Sequence, residues 1–526
     1  MINLPRTPRP LLSFCLACTL TAAAPIASSQ TLARPGWVGS GITTDLWWKR
    51  AIIYEINPAD FSPAGDNPLH GIAHRLDYIH SLGTDAILLT HLQPDPTHAE
   101  TIDPAIGSLD EFDDLLREAS SRHLRILLDL DPAIPANDLP NVARFWLNRG
   151  IAGFHVSGTT EAAREQAATL RTMTASYMGQ RILISDADPN LIATAQPQPQ
   201  PHPQPATRDR HHAHSRSRLQ SNPTTQNSTA LDTRSPQLLL DDRLGAITPL
   251  NAAAIRPIID RLQEIQQAGH SLPLLATDGP AFTRSMSRYA DGQHDLAIAK
   301  LLATLLFTTR AESLVYYGQE LGVRASSPSN AAAALILWDA PPSAQPAPVT
   351  ETYVPYKPPT SETYVPYKPP TSETYVPYKP PTSQTPVPYK PPTTTASAPT
   401  DGTPNAALED ADPNSLLNWY RQLSALHHGN STLASGSSFT INRDDQNVLV
   451  LVRRPKVVSA TSPVMVLLFN LTAQPVHLSL KADTTALGLR GSFLRTVLRS
   501  DDNIGTMHLE DMTLAPYAAY IGELRY

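Results

Sequence analysis

Eight short aliphatic or β-branched runs, each followed by helical sequence or room for it, constrain this fold more than any other feature of the chain. They lie at residues 52–56, 86–89, 126–130, 154–156, 182–184, 237–240, 272–275 and 314–317. The sequence between them keeps helical periodicity. After the second run, Ser108 and Glu111 form a capping box, and Leu109, Phe112, Leu115, Leu116 and Ala119 keep one apolar face. Eight β/α units within roughly 250–300 residues predict a closed parallel sheet, the TIM (β/α)8 barrel, over residues 40–340. A doubly wound open α/β sheet is the structural rival.

Two low-complexity tracts interrupt this alternation and hold 24 of the 51 prolines. Residues 196–235 open with Gln-Pro alternation and continue through Arg208, His211, His212, His214, Arg216 and Arg218. They read as a disordered linker, in which nothing pre-organises the histidines for a metal. The second tract, 341–403, carries an 11-residue unit that starts at Glu351 and recurs unchanged at 362–372 and 373–383. Its prolines predict extended, solvated polyproline II with exposed tyrosines. Those tyrosines offer a ligand to a protein partner; the blander alternative is a tandem duplication tolerated in a surface loop. Beyond it, Asp412 and Pro413 are expected to start a helix with Leu416, Leu417, Tyr420, Leu423 and Leu426 on its buried face. Alternating runs at 448–452, 464–470, 476–480 and 518–524 then predict a C-terminal antiparallel β-sandwich domain within 404–526.

Residues 1–29 have the pattern of a signal peptide. Arg6 and Arg9 precede an apolar stretch from Leu11 to Ala24, and Ala27, Ser28 and Ser29 are small enough for cleavage. A membrane anchor fits less well, because the stretch is short and rich in alanine. Both cysteines, Cys15 and Cys18, fall inside it, so the mature chain is expected to contain no disulfide and no thiolate metal site. The expected location is secreted or periplasmic, with no integral membrane segment after cleavage. A formal net charge of -7 argues against nucleic acid as a partner, since that needs a concentrated basic face.

The segment from Trp47 through Ile52, Ile53, Tyr54, Glu55 and Ile56 resembles the first barrel strand of the α-amylase family, glycoside hydrolase family 13, on its α-glucosidase and trehalose-synthase branch. Similar matches follow at Gly71-Ile72, Leu76 to Ile79, Asp103-Pro104, Gly107 to Phe112, Ala299 to Leu302, Tyr316 to Gly322 and Trp338-Asp339. The resemblance covers about 47–340 and 404–526. It implies a barrel that acts on or binds an α-linked oligosaccharide or glucoside, and it implies no cofactor.

The same resemblance places three carboxylates, and this chain departs at two of them. A retaining glycosidase sets a carboxylate nucleophile about 5 Å from a general acid. The family's nucleophile position is Ser157 here, and the arginine that normally holds that nucleophile is His155. An un-ionised serine hydroxyl with no neighbouring base is a poor nucleophile. The acid position carries Asp186, one methylene shorter than the usual glutamate, which weakens a distance-sensitive proton transfer. The third carboxylate survives as Asp278, with Thr277 replacing a sugar-gripping imidazole and Asn57 standing where the first strand supplies a stacking tyrosine. The segment 62–70 is too short for the metal-binding loop of many relatives, so no metal is expected. No second domain is expected after the third strand, because Asn141 leads straight into the next helix.

Each of these residues has a plainer alternative. Asp278 fits a capping aspartate at a strand end, Asp186 an acidic loop with Asp188, Ser157 a loop serine before Gly158, and His155 a satisfied core histidine. The leading expectation is an α-amylase-family protein with impaired catalysis that acts on or binds α-glucosides. The alternatives are an active retaining glucosidase or transglycosylase with a rearranged site, and an interaction scaffold like the glucosidase-like heavy chains of amino-acid transporters.

Overall fold

Each short apolar run pairs in parallel with the next, and the last returns to the first. The computed structural model describes residues 46–61, 67–188, 235–325, 336–339, 404–503 and 505–526. The expected signal segment, the linker up to residue 234 and the 11-residue repeat lie outside the described residues. Strands β1 (Ile52–Ile56), β2 (Ala86–Leu89), β3 (Arg125–Leu130), β4 (Gly153–Val156), β5 (Ile182–Asp186), β6 (Leu238–Asp241), β7 (Leu272–Ala276) and β8 (Glu312–Tyr316) form a closed barrel in that order. All eight positions agree with the sequence expectation, and closure rules out the open sheet. The pairing of β1 with β8, Ile53 opposite Leu314, completes the ring.

Helices cover the outside of this ring. In chain order they are α1 (Pro58–Phe61), α2 (Pro68–His74), α3 (Leu76–Ser81), α4 (Leu109–Ser121), α5 (Leu139–Arg149), α6 (Glu161–Ser176), α7 (Ala252–Ala268), α8 (Ser285–Tyr289) and α9 (Asp295–Thr308). The capping box that starts α4 forms as expected: the Glu111 N–H donates to Ser108 Oγ at 3.3 Å, and the Ser108 N–H donates to Glu111 Oε2 at 2.7 Å. Only eight residues separate β3 from α5, so no domain is inserted there.

After the repeat come α10 (Ala406–Ala411), α11 (Leu416–Gly429) and α12 (Ser431–Ser435). The helix expected from Asp412 starts instead at Leu416. Asp412 closes α10, and Ser415 is the true N-cap, its Oγ accepting from the Asn418 N–H at 3.1 Å. Helix α11 lies along α9: Trp419 Nε1 donates to Lys300 O at 3.2 Å, and His427 Nδ1 meets Phe307 O at 2.9 Å. Buried between α11 and the barrel, α9 is apolar nearly all round.

The remaining strands are β9 (Ser437–Ile441), β10 (Val448–Arg454), β11 (Met465–Asn470), β12 (Val476–Leu478), β13 (Phe493–Arg499), β14 (Met507–His508), β15 (Met512–Leu514) and β16 (Ala519–Arg525), with α13 (Lys481–Ala486) after β12. Six of them form one antiparallel sheet in the order β14-β13-β16-β11-β10-β9, and β12 pairs with β15 in a second. Alternation explains why the central strands are apolar on both sides. Leu449, Leu451, Leu467, Phe469 and Ile521 join the barrel core, while Val448, Val450, Val466, Leu468 and Tyr520 pack beneath Leu480, Met512 and Leu514. Buried arginines tie the layers together: Arg256 donates to Asn442 O and Val448 O, both at 2.9 Å, and Arg453 to Thr308 O at 3.1 Å. Among the described residues no helix is long and apolar enough to cross a membrane.

Candidate active site at the C-terminal end of the barrel

Strand alternation decides which side chains enter the barrel. Ile53, Leu88, Leu127, Ile184, Leu238, Leu274 and Leu314 fill its interior. Two residues further along their strands, the same parity brings in Glu55, Thr90, Asp129, Asp186 and Ala276. Strand β4 contributes His155 and, just beyond its end, Ser157; Asp242 and Asp278 follow β6 and β7. Together they line a cleft of about 640 Å3 at the strands' C-terminal ends, where barrel enzymes place their chemistry.

His155 organises this polar layer. Its Nδ1 lies 2.8 Å from Asp129 Oδ1 and its Nε2 3.1 Å from Asp186 Oδ1. Burial opposes a charge on this imidazole, but hydrogen bonds and attraction from both aspartates outweigh it and hold the pKa well above the usual histidine value. For Asp186, too, burial alone would raise the pKa. The His155 ring and the Gly158 N–H, which donates to Oδ2 at 2.5 Å, reverse that and hold it below the ordinary aspartate value. The result at neutral pH is an imidazolium clamped between two aspartates.

Ser157 donates its hydroxyl proton to Asp129 Oδ1 at 2.9 Å, the same oxygen that meets His155. Asp278 is buried and fully engaged: Oδ1 accepts from the Ser285 N–H at 2.8 Å and from Arg288 Nη2 at 3.1 Å, and Oδ2 accepts from Ser285 Oγ at 2.8 Å. Burial raises its pKa, opposed by Arg288 and Arg284.

The structure thus brings Asp278, Asp186, Ser157 and His155 to one cleft and leaves two expected residues outside it. Thr277 has the opposite parity to Ala276 and Asp278; its Oγ1 accepts from Gln319 Nε2 on the outer side of β7. Asn57 follows the end of β1, and its side chain folds onto the next turn, donating to Asp60 Oδ2 at 2.7 Å and accepting from the Ala59 N–H at 3.3 Å. Neither is placed to grip a sugar in the cleft. Conversely, Glu55 and Asp129 are central without having been singled out in the sequence. The available signal was parity with Ile53 and Leu127.

Glu55 holds its proton more tightly than an ordinary glutamate. Only 4% exposed, it makes no side-chain hydrogen bond to another described residue. Burial drives its pKa to about 7, with His155 opposing and Asp129 and Asp186 reinforcing. Among the described residues that line the cleft none is Trp, Tyr or Phe, and no group of three or more His, Cys, Asp or Glu side chains is arranged to hold a metal ion.

Known proteins resemble this chain in two ways. The family description "Alpha amylase, catalytic domain" matches residues 52–133, the segment from β1 to just past β3. Trehalose-6-phosphate hydrolase of Escherichia coli is 41% identical over 95 residues, 16% of this chain and 17% of that protein. Probable oligo-1,6-glucosidase 2 of Bacillus subtilis is 35% identical over 94 residues, again 16% and 17%. Amino acid transporter heavy chain SLC3A2 of Oryctolagus cuniculus is 27% identical over 165 residues, 27% of this chain and 31% of that protein. The matched part therefore spans well under half the length of these relatives. In three dimensions the likeness is far wider. Trehalose-6-phosphate hydrolase of Bacillus licheniformis superposes with a TM-score of 0.64 at 15% identity, covering 92% of this chain and 100% of that one. Isomaltulose synthase of Erwinia rhapontici gives 0.62 at 16% identity, over the same shares.

Proposed function

We propose that this chain, which resembles the α-amylase family on the branch of the trehalose-6-phosphate hydrolases and oligo-1,6-glucosidases, binds an α-linked glucoside and has lost efficient hydrolysis. One observation carries the reading: the Asp129–His155–Asp186 array engages Asp186, which the resemblance gives as the acid position, and Asp129 also holds Ser157, which it gives as the nucleophile position. A general acid must hold a proton at working pH, and Asp186 is paired so as to release it. A nucleophile must bear charge or have an effective base at hand, and the Ser157 hydroxyl meets only a carboxylate oxygen of Asp129 that His155 also engages, too weak a base to draw off an alcohol proton. Asp278, though retained, has its oxygens directed to Ser285 and Arg288.

Polar groups at the cleft floor still suit sugar hydroxyls, and the glucoside-directed relatives support that ligand class. Titrating the full chain with methyl α-glucoside in a calorimeter tests this. Saturable binding without release of glucose is expected; release of glucose contradicts the proposal.

A second reading, an interaction scaffold, draws on the absence of aromatic rings in the described cleft lining, since sugar sites use such rings as stacking platforms. Similarity to a transporter heavy chain points the same way. No heat of binding with any α-glucoside would favour it. Export belongs to the same proposal and rests on the pattern of residues 1–29; a mature N-terminus near Gln30 is the expected result of end-group sequencing.

A further inference from the structure

A second cleft, of about 610 Å3, opens at the opposite end of the barrel. The first residues of β3 and the residue just before β5 form its floor, and the last turns of α4 and α5 form its walls. Its charged groups are Arg117, Arg125, Arg149, Arg181 and a single acid, Asp113.

Two of these arginines have carboxylate partners. Arg149 Nη1 donates to Asp113 Oδ2 at 2.6 Å, and Arg117 pairs with Asp114 at 2.8 Å in solvent. Both sit in the C-terminal halves of helices, and Arg149, in the last turn of α5, meets the helix dipole that favours a cation. Arg125 and Arg181 differ on both counts. They stand at strand starts, where the net dipole is small, and neither makes an ion pair with a described residue.

Arg125 lies over the Trp47 ring, 4.6 Å from its centroid. Arg181 has one long hydrogen bond, Nη1 to Gly150 O at 3.3 Å. The Nε atoms of Arg149 and Arg181 are buried without a hydrogen-bond partner. Burial lowers the pKa of both Arg125 and Arg181; for Arg125, Asp85 opposes this and repulsion from Arg181 adds to it. Asp85 is itself engaged elsewhere, by the Ile52 N–H at 2.9 Å and His428 Nε2 at 3.1 Å. Neighbouring guanidinium groups with unfilled donors and partial desolvation are costly unless an anion completes them.

We propose that this cleft binds a phosphate-bearing ligand, with the forked donors of Arg125 and Arg181 gripping the phosphate oxygens. The cleft is of the size that accepts small organic ligands, and guanidinium groups match the geometry of an oxyanion. It lies at the end of the barrel away from the candidate active site, so the proposal stands independently of any glucoside activity.

Calorimetric titration of the full chain with inorganic phosphate and with phenyl phosphate, at ionic strength held constant by chloride, tests it. Saturable binding is expected, weakened at least about tenfold in the double variant Arg125→Gln, Arg181→Gln. If that variant melts early, Arg181→Gln alone, which leaves Arg125 over the Trp47 ring, serves the same comparison. Tighter binding of phenyl phosphate assigns the cleft to an organic phosphate; equal affinity assigns it to free phosphate. No saturable binding of either probe, or equal binding by wild type and variants, overturns the proposal.

Discussion

His155 and Glu55 respond to pH in the same sense, because the surroundings of each favour its protonated form, charged in His155 and neutral in Glu55. Glu55 sits at about 7 against an ordinary 4.5, so the folded chain binds its proton more tightly than the unfolded chain. Stability must therefore fall as pH rises from about 4.5 to about 7, by roughly 3 kcal/mol for a shift of this size. Glu55→Gln should remove that slope: in urea titrations the variant should match wild type near pH 4 and exceed it near pH 8 by up to about 3 kcal/mol. His155 contributes stability that is complete below its unfolded pKa, about 6.5, and is lost as pH rises through the raised folded value. Asp186 contributes stability above about 3.9 that is lost as pH falls through its depressed folded value. His155→Gln leaves two half-buried aspartates facing each other without a cation. A loss of about 3 kcal/mol is expected, greatest between about pH 4 and 6.5, and an equal loss at pH 9 would contradict the assignment. The site residues were legible to the extent that resemblance and strand parity agreed. Asp186 and Asp278 satisfied both, Thr277 violated parity, and Asn57 lay past the end of β1, where alternation no longer governs.

At the scale of elements, tight packing inside the barrel leaves β4 no freedom at its first residue. Gly153 has φ 152°, and a Cβ there would collide with the Ile182 carbonyl oxygen of β5. Because the obstacle is backbone, relief requires separating two barrel strands. Gly153→Ala is therefore expected to destabilise by about 3 kcal/mol or more, read as a lowered urea midpoint. A neutral result would mean that β4 and β5 can part without cost. The eight strands were readable because short apolar runs alternating with helical periodicity fit few folds besides a parallel α/β sheet. The start of α11 was not. Asp412-Pro413 has the residues of a helix start, but α10 ends there, and only the Ser415 hydroxyl reaches a third-residue N–H. Local capping chemistry names candidates; the competing helix decides among them.

Over the whole molecule, a closed (β/α)8 barrel with an antiparallel β layer holds a polar centre of Glu55, Asp129, His155 and Asp186. The barrel closes, α9 is sandwiched between it and α11, and the antiparallel layer packs through Arg256 and Arg453. The barrel and the antiparallel domain were legible from periodicity, order and resemblance; the α9–α11 packing and the two arginine ties were not. The ionic array was not, because it depends on Asp129 of β3 meeting His155 of β4 across the register that pairs them. The most direct test of the account is release of nitrophenol from 4-nitrophenyl α-glucoside by the purified folded chain, with Asp278→Asn measured alongside. Release at the uncatalysed background rate, the same for both proteins, is the predicted result. Turnover well above background in wild type and lost in Asp278→Asn would show a working glycosidase site and contradict the account.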